Sequence, residues 1–477
     1  MNIRTLLFAL PAVLALSGCT NLAPEYKQPA LPVAAQYAAT TGDTAAPRDI
    51  PWNDFFGDPR LRAIIALALD NNRDLRVAVL RVEQYAAQYR IQRAALLPNV
   101  GASGAYTYSR TPADFSPTRR PATGSQYTIG AGIAAYEIDF FGRIRNLKDA
   151  ALANYLATDE ARRTAQLTII SAVATQYLAE RMLDEALALA RETLQLVEAS
   201  RDLIQHRFNA GTASELDLAT AQTQVHTTQA AIADLARQHA QARNALVHLA
   251  GAPLPAGLPA PLPLNSQNLV TDLPAGVPSD LLTRRPDILA AEHTLRAAHA
   301  NIGAARAAFY PSITLTANGG FGSTSLGDLF KADSFLWSFA PKINVPIFTG
   351  GALKANLEAT RVAQKIMLAQ YEKTIQTAFR EVSDALDARR AYADLITAQE
   401  NNVAAQQRRY DLSDLRYKQG ADSYLTVITA QQSLFAAQQN LLQARFARLA
   451  NLVDLYKTLG GPWSAPLPSA PPPDPST

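Results

Sequence analysis

Two stretches of the chain, near 143–208 and 352–417, read as uninterrupted helix for roughly 66 residues each, about 100 Å at 1.5 Å per residue. Helices of that length cannot be hidden inside a compact domain, so they belong to a coiled coil or to the wall of a tube. They are also related to each other. Arg93-Ala94-Ala95-Leu96-Leu97-Pro98 recurs as Arg306-Ala307-Ala308-Phe309-Tyr310-Pro311, and Arg207-Phe208-Asn209-Ala210-Gly211 as Arg416-Tyr417-Lys418-Gln419-Gly420. Leu249-Ala250-Gly251 returns as Leu459-Gly460-Gly461, so the copies lie about 210 residues apart and share one architecture.

Each half reads helix, two strands, long helix, glycine turn, helix. The predicted helices lie near 60–96, 143–208 and 214–249, then near 280–309, 352–417 and 423–458. Pro98 and Pro311 stop the first helix of each half, because proline removes a donor and clashes with the preceding turn. Gly211 and Gly420 stand where a helix ends and the chain reverses. The two shorter helices of a half together match the reach of its long one. Leu183, Leu187, Leu194 and Val197, like Leu425, Ile428, Leu434, Phe435 and Leu442, mark apolar faces. The remaining faces carry Ala, Gln, Thr and Arg, which suits closely packed helices wet on one side.

Between the helices four segments alternate with period two. Val100, Ala102, Tyr106 and Tyr108 alternate with small and polar residues, as do Tyr127, Ile129, Ala131 and Ile133. Ile313, Leu315, Ala317 and Phe321 follow in the second half, then Trp337, Phe339, Ile343 and Val345. Alternation alone fits a half-buried sheet of a soluble domain as well as a lipid-facing barrel with a wet lumen. The N-terminus turns the reading toward the membrane. Arg4, the apolar stretch Leu6–Leu16 and the small residues Ser17-Gly18 form a secretory signal, 1–18. The sole cysteine, Cys19, follows directly and resembles the lipobox of bacterial lipoproteins, with lipidation expected there. Thr20 resembles the sorting residue of lipoproteins sent to the outer membrane. Four strands are too few to close a barrel, and open edges in lipid leave backbone groups unsatisfied at several kcal/mol each, so several copies must combine.

Charge is nearly balanced, 44 Lys+Arg against 41 Asp+Glu, which argues against nucleic acid as a partner. No run of about 18 apolar residues follows the signal. The six histidines (206, 226, 239, 248, 293, 299) have no metal-ligand spacing and there are three methionines, so no metal or cofactor is expected. Gly130-x-Gly132-x-x-Ala135 has no βαβ unit around it and is read as strand, not as a nucleotide loop. No catalytic constellation is visible, and an enzyme is not expected.

Several motifs run along almost the whole chain. Cys19 with Pro24-Glu25-Tyr26 is followed by Trp52 with Phe55-Phe56-Gly57-Asp58-Pro59-Arg60-Leu61. Glu137-Ile138-Asp139-Phe140-Phe141-Gly142-Arg143 and Leu281-Leu282-Thr283-Arg284-Arg285-Pro286-Asp287-Ile288 come next. Val345-Pro346-Ile347-Phe348-Thr349-Gly350-Gly351 and Tyr456-Lys457-Thr458-Leu459-Gly460-Gly461 complete the series. In this order they resemble the TolC-like outer membrane factors, in particular their lipoprotein branch, the NodT family. That resemblance implies an α+β membrane protein: a homotrimer whose twelve strands, four per chain, form an outer-membrane β-barrel continued by a long periplasmic α-helical barrel.

The divisions follow: a lipidated leader and equatorial segment (19–59), a first repeat (60–250), a Pro-rich equatorial linker (251–279), a second repeat (280–461) and a Pro-rich tail (462–477) read as disordered. The implied role is a passive exit duct of a tripartite efflux system, lipid-anchored in the outer membrane. Its implied partners are a periplasmic adaptor and an inner-membrane transporter of the RND or ABC type. A type I secretion duct, or a periplasmic spacer lipoprotein without a pore, are the alternatives. The resemblance also implies a periplasmic gate at Asp422, Leu425, Thr426 and Thr429. Relatives commonly hold carboxylates there, so hydroxyls and Leu425 packing are expected to close this gate. Asp217 and Tyr417 match positions that latch neighbouring coils, and Gly211, Ser214, Gly420 and Ser423 mark the helix-turn tips expected to dock the adaptor.

Overall fold

The computed structural model describes residues 21–37, 50–271, 273–274, 276 and 278–461. The signal segment, Cys19 and the tail 462–477 lie outside the described residues. Two compact units are distinguished: one comprises residues up to 30 with 81–159 and 290–371, the other 31–80, 160–289 and residues from 372 onward. Among the described residues, eleven longer elements make up the two halves. The first half contributes α1 (Pro59–Asn71), α2 (Arg73–Ala94), β1 (Val100–Thr111), β2 (Ala122–Ile138), α3 (Arg143–Asn209) and α4 (Glu215–Ala250). The second contributes α5 (Pro286–Ala307), β3 (Ser312–Ser323), β4 (Phe335–Asn344), α6 (Ala352–Lys418) and α7 (Tyr424–Thr458). Both long helices hold 67 residues, as the duplication requires.

The first unit holds all four strands, paired antiparallel in the order β1-β2-β3-β4. Cross-strand partners point to the same side. The register sets Ile129 opposite Phe321, Phe321 opposite Phe335, Ala317 opposite Phe339 and Gly319 opposite Trp337, which collects the large apolar residues on one face. Gly130 opposite Gly320, Gly132 opposite Asn318 and Thr314 opposite Lys342 make the other face small and polar. The alternation read from the sequence is therefore a real division of faces. One irregularity was not legible there. A bulge between Ile133 and Tyr136 returns Tyr136 to the apolar side opposite Leu315, and the Tyr136 hydroxyl donates to the Leu96 carbonyl at 3.0 Å. Beside the sheet, Ala150 and Ala153 of α3 pack against Ala297 and Ala300 of α5, small residues that let the two helices approach closely.

In the second unit the helix expected at 60–96 is two helices. Asn72 is extended at the break; its side-chain oxygen caps α2 by accepting from the Asp74 and Leu75 amides, and its amide donates to the Leu249 carbonyl at 2.8 Å. The helix expected at 280–309 is likewise interrupted. A single turn, Leu281–Arg284, ends at extended Arg285 because Pro286 disfavours a helical conformation in the residue before it. Arg285 is buried and donates to Asp287, Glu381 and the Thr458 carbonyl, so the break is braced from two other helices. The helices before Pro98 and Pro311 end earlier than expected, at Ala94 and Ala307, where tighter turns such as Leu97 N to Ala94 O close them. Buried Asp58 caps α1 and accepts from the Tyr177 hydroxyl at 2.6 Å, and Phe55 stacks on Tyr456. Among the described residues no helix is long and apolar enough to cross a membrane.

Candidate functional site: the coil tips

The second unit carries every residue expected at the gate, latch and tips. α3 ends on Gly211 and α6 on Gly420, with φ of 73° and 77°, left-handed values that cost a residue with a Cβ. The amides of Thr212 and Ala421 then bond back to the carbonyls of Arg207 and Arg416 at 2.8 and 2.9 Å, closing the two turns in the same way. Ser214 and Asp217 form a capping box at the start of α4: the Asp217 amide donates to the Ser214 hydroxyl, while the Asp217 carboxylate accepts from the Ser214 amide and hydroxyl. Ser423 has no such box; its hydroxyl lies 3.2 Å from that of Thr426.

Between the tips lies an apolar cluster of Ile204, Leu218, Ala221, Tyr424, Val427 and Ile428, with Tyr410 and Tyr417 against it. The Tyr424 hydroxyl is 2.8 Å from that of Ser200 on α3, a link between the two halves of the chain. Burial pushes the Tyr424 phenol above its ordinary range, and neighbouring Tyr417, Tyr410 and Asp217 push the same way. Tyr417 packs against Tyr424 at 5.4 Å, and the Arg207 guanidinium sits 4.9 Å from the Tyr417 ring centre, a cation–π contact. Higher up, Gln432 of α7 donates to Gln224 of α4 at 2.6 Å.

Leu425 and Thr429 lie one turn apart and both face outward, Leu425 at 64% exposure, while Val427 and Ile428 turn inward. Thr429 returns its hydroxyl to the Leu425 carbonyl. Asp422 is paired with Arg416 at 2.5 Å, so the one acid near the expected gate is neutralised within its own turn. Among the described residues no hydrogen bond joins Asp217 to Tyr417 within the chain, because the Asp217 carboxylate serves the Ser214 cap. Ser200, Arg207, Tyr410 and Tyr424 were not singled out from the sequence. Tyr424 carries no local signal of its role, and its partner lies more than two hundred positions away.

Comparison with known proteins agrees with this architecture. The outer membrane efflux protein family matches residues 64–252 and 277–461. The probable efflux pump outer membrane protein TtgC of Pseudomonas putida is 45% identical over 466 residues, covering 96% of each chain. A membrane protein from Pseudomonas aeruginosa superposes with a TM-score of 0.89 at 40% identity, covering 92% of this chain and all of that one. The open-state outer membrane channel MtrE of Neisseria gonorrhoeae gives 0.85 at 40% identity, covering 93% and 98%. With both repeats matched and near-complete coverage of these relatives, the chain belongs to the outer membrane efflux protein family.

Proposed function

We propose that the chain is one subunit of a homotrimeric outer-membrane exit duct, which passes small toxic compounds outward without an energy source of its own. The observation that carries this reading is the four-stranded sheet. One face is apolar and aromatic, the other small and polar, and among the described residues no strand lies beside the outer edges of β1 and β4. Such edges are tolerated in lipid only when a neighbouring chain completes the ladder. Three copies supply twelve strands.

The internal duplication supports a second copy as the neighbour. Within the chain, the first half's long helix packs on the second half's short helix, with Ala153 and Ala304 each 8% exposed. The reciprocal surfaces are open: Val362 of α6, equivalent to Ala153, is 48% exposed, and Ile91 of α2, equivalent to Ala304, is 72% exposed. The same holds beyond the strands. Phe141 stacks on Tyr310 at 4.7 Å, whereas Leu97, the counterpart of Tyr310, is exposed. A neighbour offering its own copies of these residues satisfies both surfaces and leads to a closed ring.

Outer-membrane lipid is a partner in this reading, with Cys19 as the acylated anchor, and a periplasmic adaptor and an inner-membrane transporter supply selection and energy. TtgC is a probable efflux pump outer membrane protein and MtrE an outer membrane channel, which favours efflux over a spacer without a pore. The tips at Gly211, Ser214, Gly420 and Ser423 would meet the adaptor. Leu425, Thr426 and Thr429 would form the periplasmic gate, with Asp422 holding the turn beside it. The test is reconstitution of the purified mature protein in a planar bilayer, together with deletion of the gene and exposure to antibiotics and solvents. Stepwise conductance and increased sensitivity are expected; an assembled particle that leaves the bilayer impermeable sinks the proposal.

A further inference from the structure

One stripe of α5 is fitted to a partner already in the chain. Glu292, Arg296, His299, Gly303 and Arg306 are spaced four, three, four and three residues apart, which aligns them on one helix face. Each meets the leader segment. Arg306 donates to the Leu22 carbonyl at 3.0 Å. A Cβ at Gly303 would come within 2.6 Å of the Asn146 side-chain amide and 2.8 Å of the Ala23 Cα, so glycine lets both Asn146 of α3 and the leader backbone lie against the helix here. The Tyr26 hydroxyl donates to buried Glu292 at 3.0 Å, Arg296 lies over the Tyr26 ring at 4.9 Å while bonding Glu292, and His299 meets the ring edge-on at 5.4 Å.

The leader thus runs antiparallel to α5, with Leu22 at the helix end from which the chain enters β3. The duplicated helix α2 lacks this equipment. The equivalent positions are Val79, Glu83, Ala86, Arg90 and Arg93, with an arginine where the leader needs glycine. A chain has one leader and two such helices, and only one of them is adapted.

We propose that this stripe is a docking track for the N-terminal leader, which delivers the residues following the anchor to the sheet end of α5, so that lipid anchor and barrel strands meet the membrane together. The proposal rests on the reading of Cys19 as the acylated residue. The track holds the leader by a bidentate clasp around Tyr26 and a backbone contact at Leu22, chemistry that a free lipid tail alone would not supply.

The sole-cysteine composition provides the test, because an acylated Cys19 has no free thiol. Leu22→Cys is introduced into the full chain and isolated outer membranes are treated with a bulky maleimide. Labelling is expected to be about tenfold or more slower than at Gly257→Cys, an open turn with nothing within 4 Å of an added Cβ. Combining Tyr26→Ala with Arg306→Ala raises the Leu22→Cys rate to that of Gly257→Cys and lowers the yield of detergent-resistant oligomer in the outer membrane severalfold. Arg93→Ala on α2 changes neither, and Tyr26→Phe gives an intermediate rate without the bulk loss of alanine. If Leu22→Cys is as open as Gly257→Cys from the start, or stays closed in the double variant, the track is overturned. An unchanged oligomer yield with an opened leader overturns its role in placing the anchor. Labelling of the parent chain at Cys19 instead removes the lipid reading, and bilayer conductance reports separately on the duct.

Discussion

At the scale of single residues, the tips are held by a few groups with defined partners. The Tyr424–Ser200 link joins α7 to α3 inside an apolar cluster, where a hydrogen bond contributes about 1 kcal/mol and an orphaned hydroxyl costs more. If the closed state depends on that link, Tyr424→Phe with Ser200→Ala should shift the closed-to-open ratio about fivefold, since 1.4 kcal/mol corresponds to tenfold. Single-channel recording reads this as longer or larger openings; an unaltered record removes the link from gating. Asp217→Ala with Tyr417→Phe tests the latch expected from the sequence in the same assay, and raised conductance would place that pair between neighbouring chains. Residues of this kind were only partly legible. Gly211, Gly420 and Ser214 announce themselves through local turn and cap chemistry, whereas Tyr424, Ser200 and Arg207 gain meaning only once distant segments meet.

At the scale of elements, the long helices and the strands followed from periodicity, and the interruptions did not. The apolar pattern continues through Asn72 and through Arg285, and a helix is the natural reading of both stretches. Asn72 breaks the helix because its side chain satisfies the α2 amides and the Leu249 carbonyl together. Asn72→Ala removes the cap, worth about 1 kcal/mol, and takes the donor from the half-buried Leu249 carbonyl, about 1 kcal/mol more. Thermal melting of the purified protein should show a lowered midpoint, with conductance of the surviving channels unchanged. An unchanged midpoint would mean that α1 and α2 can fuse without loss. The Arg285 break differs in kind, because Pro286 signals it locally while two partners from other helices, Glu381 and the Thr458 carbonyl, decide how it is braced.

At the scale of the whole molecule, the duplication defines what each chain lacks. The buried positions Ala153 and Ala304, on the first half's long helix and the second half's short helix, have exposed counterparts in Val362 and Ile91 on the same chain, and in the proposed ring a neighbouring copy covers them. Ala150, Ala153, Ala297 and Ala300 form the filled version; Ala359 and Val362, with Gln84 and Ala87, are the equivalent positions across the joint. Val362→Cys with Ala87→Cys in one chain should therefore oxidise to covalent oligomers that end at three subunits on reducing-agent-free gels. A chain that stays monomeric under oxidation, while still conducting, would overturn the quasi-equivalent joint. The amino-acid sequence by itself determined the two-fold repeat, the lengths of the rods, the alternation of the strands and the need for more than one chain, because periodicity, length and unsatisfied strand edges are local quantities. Tertiary structure alone decided that the helix breaks at Asn72, how the bulge at Ile133 and Tyr136 returns an aromatic to the apolar face, and which side chains meet at the tips and along α5. Those features depend on hydrogen bonds and close approaches between segments from 40 to 284 residues apart, and no local pattern encodes the partner.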